Sequence, residues 1–140
     1  MKMMIVFRLG DEHFALDITK VREVTEMQNP VPVPKSPQFV LGLVNIRGNV
    51  IPVVSLKRRL GISGDETGAL LLLIEDNGRV AGVKVDELYG TKRVNEKRIK
   101  RRKKRISMKK KGDFFHGVYE GEKKPILVLN VEKILSKEDR

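Results

Sequence analysis

The residues whose types best suit recognition chemistry are Asn45 and Arg47, two positions apart in a strongly apolar stretch. Leu41 to Ile46 predicts one β-strand, Val50 to Val54 predicts the returning strand, and Gly48-Asn49 predicts the turn of this hairpin. A guanidinium cannot enter an apolar interior unpaired, so Arg47 must lie in a groove or meet an acceptor there. The alternative is structural: both side chains satisfy nearby backbone carbonyls inside an ordinary core hairpin.

Catalytic chemistry has much weaker support in this sequence. His13 and His116 fall on different predicted strands, and neither has a companion at metal-ligand spacing. Asp17, Glu23 and Asp86 could act as carboxylate pairs, but their spacing selects no pair over ordinary surface acids. The phosphate-loop pattern GxxxxGK[ST] is absent, and the glycines mark turns. We therefore predict a protein that is not an enzyme and that holds no metal and no cofactor.

Turn signals divide the chain at intervals typical of an all-β protein. Gly10-Asp11, Asn77-Gly78 and Gly121-Glu122 each separate two apolar runs, which with the hairpin above predicts four hairpins. Asn77-Gly78 is the most specific of these signals because both residues tolerate the positive φ angles of a type I′ turn. Helix is scarce, and its best candidate is the C-terminal segment, where Asn130 is a plausible N-cap. The pattern alone predicts a small β-barrel or sandwich.

Two further segments can be assigned from their local chemistry. Ser55 is a good N-cap for one helical turn at Leu56 to Leu60, and Gly61 suits the left-handed position after it. Four of the six prolines lie between Pro30 and Pro37, which predicts an extended connector rather than a central strand. A Pro-rich ligand for an SH3-type partner is the alternative, but this connector lacks flanking arginines.

The arrangement G-x-x-N-x-R-G-x-x-x-P-V, from Gly42 to Val53, resembles the signature of the CheW family of chemotaxis coupling proteins. Leu56 and Leu60-Gly61 continue the resemblance. Three weaker stretches resemble the family in the same order along the chain: Gly10 to Val24, Val80 to Gly90 and Phe114 to Leu135. One departure is Ser55, where the family usually carries Asp. Any acidic partner for Arg47, Arg58 or Arg59 at that position is therefore lost.

The resemblance implies an all-β fold with two small SH3-like or OB-like β-barrels side by side and a short C-terminal helix. Strands would cross between the two halves of a single domain that spans residues 1–140. The implied function is a non-enzymatic scaffold that couples chemoreceptors to the histidine kinase CheA. The cytoplasmic tip of a receptor would bind in the groove between the barrels, where we place Val21, Glu23, Asn45 and Arg47. The regulatory domain of CheA would bind elsewhere, at a surface that the sequence does not identify.

Residues 97–111 form an unusual basic run, with eleven Lys or Arg and no acid, equal to the whole formal net charge of +11. A solvated loop is the simplest interpretation, and an acidic protein surface is the next. The alternative function is a small β-barrel that binds nucleic acid through a basic patch. That patch comprises Arg101, Arg102, Lys103, Lys104 and Arg105. Nucleic acid is disfavoured because aromatic residues make up only 5% of the chain, without tryptophan, which leaves few platforms for base stacking.

Length and composition are typical of one soluble domain. A chain of 140 residues, 40% of them hydrophobic, is long enough to bury its own core. The absence of cysteine excludes a disulfide framework and any thiolate metal site. The apolar stretch near the start is too short for a secretory signal, and no later stretch approaches the ~20 apolar residues of a membrane helix. We expect a cytoplasmic location.

Overall fold

The computed structural model describes residues 1–64, 68–101, 114–120 and 123–136. Most of them belong to β-strands, connected by two short α-helices and two 3-10 turns. The strands are β1 (Lys2–Leu9), β2 (Glu12–Asp17), β3 (Val21–Glu26), β4 (Val40–Ile46), β5 (Asn49–Val54), β6 (Leu70–Asp76), β7 (Arg79–Val85), β8 (Glu87–Val94), β9 (Ile99–Lys100), β10 (Phe115–Glu120) and β11 (Pro125–Leu129). The helices are α1 (Leu56–Leu60) and α2 (Val131–Ile134), and the 3-10 turns are Ile18–Lys20 and Glu96–Arg98.

The strands form two sheets, which confirms the all-β prediction. The six-stranded sheet has the order β8-β1-β2-β11-β10-β9, and the five-stranded sheet has the order β3-β6-β7-β5-β4. The chain begins in the six-stranded sheet, builds the whole five-stranded sheet from β3 to β7, and then returns. The chain therefore crosses between the two sheets at two connections, and each described strand lies within one sheet. The division of a single domain into two interleaved halves stays a prediction. Closure of each sheet into a barrel stays a prediction.

The strands are apolar at consecutive positions because their two faces enter different cores. In β1, Ile5 and Phe7 belong to a shared core that contains residues of both sheets. Met4 and Val6 belong to a second core, built from the six-stranded sheet alone. Successive side chains of a strand point to opposite faces, so a strand buried on both faces must be apolar throughout. β6 repeats this pattern between the shared core and a third core inside the five-stranded sheet.

The two edges of the five-stranded sheet, β3 and β4, are brought together by the connector. Val31, which follows β3, exchanges two backbone hydrogen bonds with Leu43 of β4, with N···O distances of 2.8 and 2.9 Å. Gly42 permits this approach, because a Cβ atom there would lie 2.4 Å from the Val31 carbonyl oxygen. Apart from this single bridge, residues 30–37 contain no strand, which confirms the connector prediction. The sheet must therefore be strongly curled.

The first crossing between the sheets, from β2 to β3, is held by carboxylates at both ends. The Asp17 side chain accepts a hydrogen bond from the Thr19 amide at 2.9 Å and so caps the 3-10 turn. Lys20, at the end of the turn, donates to the buried Asp76 carboxylate of β6 at 2.6 Å. Burial alone would raise the pKa of Asp17, but the hydrogen bonds from Thr19 and the nearby Lys2 ammonium outweigh it, so that the pKa is lowered.

The second crossing, from β7 to β8, is held by Asp86. Its carboxylate accepts a hydrogen bond from the Gly10 amide at 2.7 Å, and its own amide donates to the Arg8 carbonyl at 3.0 Å. The Arg8 guanidinium lies 3.8 Å from Asp86 and 3.3 Å from Glu87. These contacts fasten the β1–β2 turn to the point where the chain re-enters the six-stranded sheet.

All four predicted hairpins form, and three of their turns, including that of the β4–β5 hairpin described below, lie within the described residues. Gly10-Asp11 and Asn77-Gly78 connect their strands as predicted, and Asn77 and Gly78 have φ angles of 49° and 80°. The Gly121-Glu122 turn lies outside the described residues, although β10 and β11 pair as expected. The N-caps are also confirmed, because Ser55 accepts from the Arg58 amide at 3.1 Å and Asn130 from the Lys133 amide at 3.2 Å.

We predict that Asp17→Ala lowers the free energy of unfolding by about 1 kcal/mol at neutral pH, since a capping hydrogen bond is lost. The folded-state pKa of Asp17 is lowered, so its stabilisation is complete above pH ~4 and declines as the pH falls further. Denaturant titrations at several pH values measure this dependence. Glu12→Ala, at an exposed position of β2, is the control. A difference between wild type and Asp17→Ala that is as large in strong acid as at neutral pH would contradict this role.

Candidate functional site

The turn of the β4–β5 hairpin consists of Arg47 and Gly48, one residue earlier than predicted. Ile46 pairs with Asn49, so these two residues alone connect the strands. Their φ angles are 50° and 85°, as a type I′ turn requires. The prediction of Gly48-Asn49 rested on the permissive backbone of these two residues, and it was wrong because Arg47 adopts a positive φ angle, which is uncommon for a residue other than glycine.

Asn45 and Arg47 are exposed, so the alternative that places both side chains inside a core hairpin is wrong. The reason is the alternation of β4: Val44 and Ile46 enter the core of the five-stranded sheet, and Asn45 between them points outward. The Asn45 side chain accepts a hydrogen bond from the Gly48 amide at 2.8 Å. Asn45 therefore stabilises the conformation of the turn that contains Arg47.

Arg47 meets an acceptor, which was one of the two alternatives for its guanidinium. Nη2 of Arg47 donates to both carboxylate oxygens of Glu23, at 2.6 Å to Oε2. Glu23 lies on β3 and Arg47 follows β4, so the ion pair joins the two edges of the curled five-stranded sheet. The Arg47 side chain remains 71% exposed and that of Glu23 29% exposed. Because exposed ion pairs contribute only ~0–1 kcal/mol, fold stability does not account for this pair.

Val21 is placed differently from the other three predicted site residues. It pairs with Ile74 and packs against the shared core, and a bulge separates it from Glu23, which pairs with Leu73. The structure thus brings Glu23 and Arg47 into contact, sets Asn45 beside them in the turn, and places Val21 at the start of the same strand. A groove lined by all four residues stays a prediction.

Arg59 is an important residue that the sequence interpretation missed. Its side chain is only 2% exposed, and its guanidinium carbon lies 4.0 Å from the centroid of the Phe39 ring and 4.8 Å from that of Phe114. It donates hydrogen bonds to carbonyl oxygens at the end of α2, namely those of Lys133, Ile134 and Ser136. Helical spacing could have revealed it, since residues 56, 59 and 60 share one face of α1.

The basic patch falls mostly outside the described residues. Arg101 is exposed and follows β9, whereas residues 102–105 are not described. The start of the basic run is held against the six-stranded sheet, because β9 pairs with β10 and Arg98 donates to the Tyr119 hydroxyl at 3.3 Å. Phe114 and Phe115, the aromatic residues after the run, are 2% and 3% exposed. They are therefore core residues and cannot stack on nucleic-acid bases.

The described residues contain neither a metal-binding cluster nor a membrane-spanning helix. His13 and His116 lie on β2 and β10, and no cluster of three or more His, Asp or Glu there could hold a metal ion. In the same part of the chain, no helix has the length and apolar character needed to cross a membrane.

The fold and the hairpin site together define a two-sheet β-protein with an exposed ion-paired turn. Residues 3–139 match the model of the CheW-like domain, so the chain belongs to the CheW family. Chemotaxis protein CheW of Rhizobium meliloti is 30% identical, with 98% of this chain and 89% of that protein covered. Chemotaxis protein CheW of Thermotoga maritima is 32% identical, with 92% and 84% covered. The crystal structure of the scaffolding protein TtCheW from Thermoanaerobacter tengcongensis superimposes with a TM-score of 0.87 at 27% identity, with 98% and 89% covered.

We predict that Arg59→Met lowers the free energy of unfolding by about 2–4 kcal/mol, because one buried and two partly buried carbonyl oxygens lose their donor. Arg58→Met, at the neighbouring exposed position, should change it by less than about 0.5 kcal/mol. Urea unfolding followed by circular dichroism compares the two variants. Equal losses would show that Arg59 does not connect α1 to α2.

We also predict that Arg47→Gly leaves the free energy of unfolding unchanged or raises it by up to about 1 kcal/mol. Glycine relieves the positive φ angle of the turn, and the lost ion pair is exposed. Thermal and urea unfolding provide the measurement. A loss above about 2 kcal/mol would instead support the structural interpretation of Arg47.

Proposed function

We propose that this protein is a cytoplasmic scaffold that couples chemoreceptors to the histidine kinase CheA and performs no chemistry of its own. Membership of the CheW family supports this proposal, as does the likeness to a solved protein described as a scaffold. Signal would pass through it as a change in the relative placement of its partners. Two binding surfaces are then required, one for the receptor and one for the kinase.

The observation that carries the proposal is the Glu23–Arg47 pair. Arg47 lies at a backbone position that costs conformational energy, and its ion pair contributes little stability because it is exposed. Its planar donors are nevertheless held in place by Glu23 and by the turn that Asn45 fastens. Such a preorganised guanidinium suits recognition of carboxylates or backbone carbonyls on a partner.

The receptor partner is proposed to be the cytoplasmic tip of a chemoreceptor, bound beside Val21, Glu23, Asn45 and Arg47. The kinase partner is the regulatory domain of CheA, which needs a separate surface for both partners to bind at once. Purified protein should associate with that domain at tens of micromolar or tighter, and should form a ternary complex with a receptor-tip fragment. Sedimentation velocity measures both steps. Failure of the kinase domain to associate would overturn the coupling function.

We predict that Arg47→Lys weakens binding of the receptor-tip fragment about tenfold or more, while binding of the CheA regulatory domain is unchanged. An ammonium keeps the charge but cannot reproduce the planar fork of donors, and a charge-assisted hydrogen bond is worth about 1.5–3 kcal/mol. Calorimetry with each partner separates the two effects. Arg22→Lys is the matched control, because Arg22 lies on β3 and its guanidinium contacts only Glu75 among the described acids. Wild-type receptor binding by Arg47→Lys would remove Arg47 from the site.

Replacement of Arg101, Arg102, Lys103, Lys104 and Arg105 by Ser tests the nucleic-acid alternative. The fold should persist, and kinase binding should change little at moderate salt. Any weak oligonucleotide binding that the parent protein shows at low salt should be lost in this variant. The parent itself should lose that binding when the salt concentration is raised to physiological strength. Tight, salt-resistant oligonucleotide binding by the parent would contradict the scaffold proposal.

A further inference from the structure

A concave cavity of about 500 Å³ lies between the end of the connector and α1, away from the Glu23–Arg47 pair. We call it the Arg58 pocket; the residues that matter for its chemistry are Lys35, Ser36, Gln38, Phe39, Arg58 and Arg59. Its volume falls within the range that small-molecule sites occupy. Among the described lining residues, three side chains are cationic and none is acidic.

The walls of the Arg58 pocket are held by contacts that do not depend on a ligand. On the connector side, Ser36 donates from its hydroxyl to the Val33 carbonyl at 2.8 Å, which fixes the turn that contains Lys35. On the helix side, the Arg59 guanidinium is buried against the Phe39 ring. Arg58 bridges the two sides, because its Nη1 donates to the Gln38 carbonyl at 3.0 Å. The pocket is therefore preorganised.

Two of the three cationic side chains, those of Lys35 and Arg58, have no acidic partner among the described residues. The cap of α1 is the neutral hydroxyl of Ser55, and the first turn of α1 contains no acid. Like charges that share a concavity repel one another, and a bound anion would relieve that repulsion.

Donor geometry indicates which anion would fit. A guanidinium carries five N–H donors in a planar fork, and the described bond to Gln38 uses only one nitrogen of Arg58. The fork matches two oxygens of a phosphoryl or carboxylate group, and Lys35 adds a point charge. We propose that the Arg58 pocket binds a small oxyanion with at least two negative charges, either a phosphate monoester or a dicarboxylate.

Titration with inorganic phosphate and with succinate, followed by amide resonances in NMR spectra, tests the proposal. The titrations use the full chain and, in parallel, the variant with Ser at positions 101–105, which reduces anion binding by the basic run. Saturable shifts should appear at Ser36, Gln38 and Phe39 with one or both probes, and acetate should bind more weakly. Saturation by phosphate alone assigns the site to phosphoryl groups, and saturation by succinate alone assigns it to dicarboxylates.

Variants decide whether the Arg58 pocket is the site of those shifts. Arg58→Gln should weaken binding about tenfold or more. Lys35→Asn should weaken it too, without backbone strain, since Asn tolerates the φ angle of 63° at this position. Ser55→Asp keeps a capping side chain and adds a compensating charge, so it should also reduce affinity. Arg22→Gln is the control and should bind like the parent. Shifts that occur only elsewhere, or equal affinity in Arg58→Gln and the parent, would overturn the proposal.

Discussion

The structure depends on one constraint: the long strands of both sheets must supply two cores at once. Consecutive residues of β1, such as Ile5 and Val6, enter the shared core and the core of the six-stranded sheet respectively. A slip of one residue would exchange the two faces of the strand, moving every side chain into the wrong core. Both faces are apolar, so hydrophobicity alone does not prevent such a slip. Turn geometry and side-chain size must set the register.

The turns that set this register also position the exposed polar groups. Asn77-Gly78 fixes β6 against β7, and the Arg47-Gly48 turn fixes β4 against β5. In the second turn, Arg47 both adopts a positive φ angle and contacts Glu23 on β3. The conformational cost of this turn is offset by the rest of the fold, as is common where backbone strain serves recognition. Arg47, the proposed binding residue, therefore lies in the turn that determines the register of β4 against β5.

Local signals predicted much of this fold, because caps and turns depend on neighbouring residues alone. Ser55, Asn130 and Asn77-Gly78 act as their side chains and backbone preferences indicate. Contacts between distant segments could not be predicted in the same way. The contact of Arg47 with Glu23 requires the curl that brings β3 towards β4, and no local pattern encodes that curl. Family resemblance selected both residues as a site without showing that they form an ion pair.

Arg47 and Arg59 illustrate how burial decides the role of a guanidinium. Arg59 is enclosed by aromatic rings and bound to backbone carbonyls, so it is fixed and connects α1 to α2. Arg47 has a single described acceptor, which engages only its Nη2, and it keeps most of its exposure, so its other donors remain available for the proposed recognition of a partner. A scaffold needs both kinds of residue. Rigid internal connections keep the two sheets in a constant relative position, and exposed donors allow a partner to bind and leave without disturbing that position.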